Sequence, residues 1–191
     1  MTQIAIDRRS QRSQELLLDA LLDLMIERGY ERLTVQNLLD RAGVGRATFY
    51  AHFDGKDELL QASVKRLHDW LRAAWRAAPV QPLAFTLPFF QHLASHRRIY
   101  AMTVVRESEV SVPRHIRRML LELVREDLQS RAGGTGSAPL ELATQYVVGA
   151  LWSTITWWME RDPELPPEAI NEVFQRLTFP GLAQLSAGRQ T

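Results

Sequence analysis

Residues 33–60 read LTVQNLLDRAGVGRATFYAHFDGKDELL, two short apolar-periodic runs on either side of a glycine turn. Thr34 stands where an N-cap belongs, and Val35, Leu38 and Leu39 fall on one face of the helix that follows. Asn37 occupies the position where a capping box has Glu or Gln, so that box is expected to be incomplete. Gly43 suits a left-handed helix end, and a further helix is predicted from Gly45 to His52. Its Val44, Ala47, Phe49 and Phe53 are predicted to face inward, leaving Gly45, Arg46, Thr48, Tyr50 and His52 outward. A helix of about two turns, a tight glycine turn and a second short helix make a helix-turn-helix. A unit this small has no core of its own, so its neighbours must present it to a partner.

Those neighbours are helical too. Upstream, residues 13–34 carry Leu17, Ala20, Leu21, Leu24 and Met25 at the helical period, with Ser10 or Ser13 as candidate N-cap and Gly29 as C-cap. Downstream, Asp54 or Gly55 is expected to cap a long helix whose Asp57 and Glu58 suit its positive end, and Pro79 and Pro82 stop it. Amphipathic runs at 113–132, 139–162 and 166–179 follow, with the glycine- and serine-rich GGTGSA (133–138) as a flexible connector. The expected fold is all-α.

Composition narrows the function. At 191 residues the chain is long enough for a sizeable core. It has no cysteine, which removes disulfides, thiolate metal sites and thiol nucleophiles and suits a reducing cytosol. The longest apolar run, residues 146–159, is too short and too interrupted by Ser and Thr to span a bilayer, and the first residues lack a signal-peptide core. A cytoplasmic protein without a membrane contact is expected. Net charge is +1, and up to Arg66 ten Lys and Arg face ten Asp and Glu, so total charge does not point to DNA. The placement of a few cations on one face still can.

The 33–60 stretch resembles the TetR/AcrR family of bacterial transcriptional regulators. The resemblance rests on Thr34, the Ala42–Val44 turn, Thr48, the Phe49-Tyr50 pair, Phe53, and Lys56 with Asp57, and it covers the first third of the chain in detail. Gly45 stands where the family often has Ser, and Asp54-Gly55 replaces a common Pro-Ser. The resemblance implies a homodimer with a helix-turn-helix head over residues 1–55 and a helical effector-binding and dimerisation body over 56–191. It implies a repressor that binds a palindromic double-stranded DNA operator and is released by a small molecule. The alternative is a helical ligand-binding or protein-interaction module that does not act on DNA.

Site residues follow from that frame. The second helix of such a motif enters the major groove with its N-terminal residues toward base edges. Arg46 is therefore assigned to base reading and Gly45, Thr48, Tyr50 and His52 to bases or phosphates. Thr34, and Lys56 at a helix start, are assigned to the backbone. The Arg8–Arg12 arm is as well explained by a solvated tail as by a DNA contact. Trp70, Phe89, Tyr100 and Met102 are candidates for a largely apolar effector pocket, and Trp152, Ile155, Trp158, Met159, Phe174 and Leu177 for a dimer interface. His92 and His96 lack the intervening Glu of a metalloprotease helix, GVGRAT does not follow a strand, and no catalytic constellation is visible, so no metal, cofactor or enzyme activity is expected.

Overall fold

The computed structural model describes residues 2–78, 81–103, 111–132, 138–162 and 164–187, with side chains over 10–78, 81–101, 111–131, 139–162 and 164–183. Among these residues the secondary structure is helical throughout, with no strand. In chain order the helices are α1 (Thr2–Arg28), α2 (Val35–Ala42), α3 (Arg46–Tyr50), α4 (Lys56–Ala77), α5 (Thr86–Ser95), α6 (Arg97–Thr103), α7 (Ser111–Ala132), α8 (Ala138–Arg161) and α9 (Pro167–Ala187). The GGTGSA connector lies outside the described residues, save for the backbone of Ala138.

The head forms as its caps dictate. The helical-period residues of α1, Leu17, Ala20, Leu21, Leu24 and Met25, are all buried, and Gly29 ends the helix at φ 76°. Neither Ser10 nor Ser13 is its N-cap, because the helix already starts at Thr2. Asn37 corrects a second expectation: its side chain accepts from the Thr34 N–H at 3.2 Å while its own N–H donates to the Thr34 hydroxyl at 3.2 Å. An amide oxygen at this position closes the box as a carboxylate would. Gly43, at φ 63° and ψ 31°, sends its N–H to the Leu39 carbonyl, and nothing lies within 4 Å of a Cβ built there. Glycine is needed at this turn for its backbone conformation alone.

In the body, α8 packs on α7 and α9, α5 on α9, and α4 on α7. Its centre is aromatic: Phe90 meets Trp158 edge-on (ring centroids 5.6 Å apart) and Phe174 at 6.4 Å, and Trp158 Nε1 donates to the Leu165 carbonyl at 2.9 Å. A buried indole is thereby left with no unmet donor. Asp127, fully buried on α7, accepts from the Leu83 N–H at 3.2 Å and from Arg131 Nε at 3.1 Å. These bonds hold Leu83 at φ 53°, a left-handed conformation that branched side chains resist.

Candidate nucleic-acid interface and ligand cavity

The helix-turn-helix is α2–α3, braced on α1. The Arg41 guanidinium grips Glu27 with both oxygens at 2.6 and 2.7 Å and reaches Asp23 at 3.4 Å, which ties α2 to α1. Phe49 is fully buried and Phe53 nearly so, and they anchor the far side of α3. Ala47, expected inward, is exposed: α3 spans only Arg46–Tyr50, so a single turn cannot bury two faces.

Gly45, Arg46, Thr48 and Thr34 are exposed, and Tyr50 is half-exposed with its ring edge-on to Phe49 at 5.3 Å. Arg46 donates to the Gln36 side-chain oxygen at 2.9 Å, and the Gln36 amide donates to Asp40 at 2.7 Å. The α2 helix thus positions the guanidinium through a residue that the sequence reading passed over.

Two assigned residues are otherwise engaged. His52 lies past the end of α3 and is half-buried against α1, where Gln14 Nε2 donates to its Nδ1 at 3.1 Å and its Nε2 lies 3.3 Å from the Ser10 hydroxyl. With Nδ1 accepting, the ring proton sits on Nε2 and both nitrogens are used within the head. Its expected outward orientation is therefore corrected. The Lys56 ammonium donates to the carbonyls of Tyr30 and Glu31, both at 3.2 Å, and lies 4.6 Å from the Tyr30 ring centroid. Its charge holds the loop after α1 while the residue remains half-buried at the start of α4. Tyr30 in turn donates its hydroxyl to Asp57, and burial first, then Asp57, keep that phenol protonated. Arg12 is exposed, whereas the side chains of Arg8 and Arg9 lie outside the described residues.

A cavity of about 430 Å³ opens between α1, α4, α5, α6 and α7. Trp70 and Tyr100 line it, Phe89 is buried in the core and does not, and the side chain of Met102 lies outside the described residues. Leu18 and Leu22 of α1 form one wall, so the cavity touches the head directly. Its polar edge is His92, His96 and Tyr100, with His92 Nε2 3.0 Å from the Tyr100 hydroxyl. Burial first, then the neighbouring His96, lower the His92 pKa to about 4, and burial holds the Tyr100 phenol protonated. Sequence spacing had paired the two histidines but could not place them beside α1 and α4. No group of three or more His, Cys, Asp or Glu suited to a metal occurs among the described residues.

The expected dimer set divides. Ile155, Trp158, Met159 and Phe174 are buried within this chain's own core, Trp152 is half-buried, and Leu177 is 75% exposed. The first four are unavailable to a second chain and are corrected to core. The exposed apolar residues of α8 are instead Leu142, Tyr146 and Trp157, which continue through Gly149 and Ser153 as one stripe. Val173 and Leu177 add an exposed pair on α9.

Residues 17–63 match the family model of bacterial regulatory proteins of the tetR family, and residues 81–179 match a transcriptional regulator C-terminal region. The HTH-type transcriptional repressor KstR2 of Mycobacterium tuberculosis is 21% identical over 204 residues, covering 96% of this chain and 98% of that protein. The uncharacterized HTH-type regulator YxbF of Bacillus subtilis is 40% identical over 62 residues, only 32% of this chain and 16% of that protein. Among solved structures, FadR from Bacillus subtilis in complex with stearoyl-CoA superposes with a TM-score of 0.65 at 20% identity, covering 86% of this chain and 96% of that one.

Proposed function

Because this chain belongs to the TetR family of bacterial regulatory proteins and is a transcriptional regulator, we propose that it acts as a cytoplasmic homodimeric repressor released from a pseudo-palindromic operator by a small molecule. The observation that carries this reading is the solvent-facing set Arg46, Thr48 and Tyr50 on a helix whose opposite side is anchored by buried Phe49. In a helix-turn-helix such a face enters the major groove. Arg46 reads a base, Thr48 and Tyr50 contact bases or phosphates, and Thr34 and the close approach at Gly45 seat the backbone. Lys56 adds positive potential near the start of α4 without being released from its carbonyls. His52 acts by positioning α3 on α1.

Leu142, Tyr146 and Trp157 on α8 and Val173 and Leu177 on α9 are large apolar side chains left exposed on two long helices, the kind that a two-fold interface covers. The cavity supports the effector role because one ligand there touches α1 of the head together with α4–α7 of the body. A ligand that fits one arrangement of head and body better than the other shifts the population by its differential affinity, about 1 to 3 kcal/mol in typical cases. No described helix is long and apolar enough to cross a membrane.

Hydroxyl-radical footprinting on a bound operator tests the arrangement. Two protected patches about 34–36 Å apart on one face of the duplex are expected. A single patch, or protection without two-fold spacing, contradicts it.

A further inference from the structure

The cavity's polar edge has a chemistry of its own. His96 Nδ1 lies 3.0 Å from the backbone carbonyl of His92. A carbonyl only accepts, so Nδ1 carries the proton and the neutral ring's Nε2 is a lone-pair acceptor. No described residue bonds that nitrogen. The His92 ring lies against His96 at 4.3 Å, is itself occupied by the buried Tyr100 hydroxyl at 3.0 Å, and has the Trp70 ring 5.8 Å away. An unpaired acceptor is thus offered in a cavity that Leu22, Leu67, Trp70 and Ile116 also line. The charged side chains lining the cavity, Asp19 and Arg66, are both exposed and cancel.

We propose that this cavity selects an uncharged, largely apolar small molecule bearing a hydroxyl donor, such as a phenol or alcohol, through His96 Nε2. The proposal deepens the effector reading above and rests on it for its regulatory meaning, though not for binding. An anionic head is disfavoured because it would exchange water for apolar walls with no net positive charge to replace its hydration. A ligand without a donor displaces water from the nitrogen without replacing its hydrogen bond, and that loss supplies the selectivity. The volume suits a compact ligand, near the lower end of known small-molecule pockets.

Calorimetric titration of the full-length protein with 4-butylphenol, butylbenzene and 5-phenylpentanoate, without DNA, tests it. The phenol is expected to bind about fivefold to tenfold tighter than butylbenzene, the worth of one ordinary hydrogen bond. His96→Leu should abolish that ratio while still binding butylbenzene, which also shows that the variant is folded. His96→Gln, which keeps an acceptor, should restore part of it. Equal affinities for phenol and hydrocarbon, an undiminished ratio in His96→Leu, no binding of the phenol, or tighter binding of the carboxylate would each overturn the proposal. Operator release is measured separately by anisotropy. Selective phenol binding without release supports the site and counts against the effector reading alone.

Discussion

Gln36 on α2 accepts a hydrogen bond from the Arg46 guanidinium at the start of α3, 2.9 Å away, and is itself held by Asp40. The contact orders a long side chain before any partner arrives, so less rotamer freedom is lost on binding. Arg46→Ala is expected to weaken operator binding on the order of 10- to 100-fold with dimerisation intact, as for loss of a bidentate base contact. Anisotropy with operator and unrelated DNA checks it, since unchanged operator affinity would remove Arg46 from base reading.

The turn between α2 and α3 is set by backbone conformation. Gly43→Ala introduces a Cβ that meets no atom but must adopt φ near 63°. A loss of about 1 to 2 kcal/mol in urea unfolding is expected from the left-handed conformation alone. A stability equal to that of the native protein would show that the turn relaxes.

His92 makes stability depend on pH in a defined window. Its folded pKa is lowered to about 4, so the unfolded chain takes up a proton near 6.5 that the folded chain refuses. Stability is therefore retained above 6.5 and falls as pH drops from there toward 4. Replacement by Gln should flatten this part of the profile relative to the native protein, measured by urea melts between pH 7.5 and 4.5. Parallel profiles would place the titration elsewhere.

On α8, neighbouring residues should behave oppositely. Trp157→Glu is expected to give a folded monomer by light scattering, because Trp157 is 48% exposed on the apolar stripe. Ile155→Ala should keep the dimer and lower stability by about 2 to 5 kcal/mol, the usual cost of truncating a buried core residue. An intact dimer in Trp157→Glu would move the interface off this stripe.

This division of α8 shows what the sequence could and could not express. Much of the head was legible because its features have local chemical causes: Thr34 caps, Gly43 turns, and the helical period of α1 faces inward, whereas the start of α1 at Thr2 and the short span of α3 carry no such signal. In α8 apolar residues ring the helix, so periodicity could not tell Trp158, fully buried, from Trp157 beside it. The roles of Lys56 and His52 were hidden for another reason. Their partners, Tyr30 and Glu31 for one, Ser10 and Gln14 for the other, lie 25 to 42 residues earlier in the chain. The cavity likewise draws its walls from five helices, and only the fold brings Leu18, Trp70 and His96 together.

The central claim is that the exposed face of α3 recognises a specific DNA sequence, and fluorescence anisotropy on fragments from beside the protein's own gene, across a salt series, tests it most directly. The expected result is tight binding to one fragment, at least about a thousandfold tighter than to unrelated DNA, with affinity falling steeply as salt rises. Equal, weak binding to every fragment, and no enriched sequence on selection from random DNA, would contradict it.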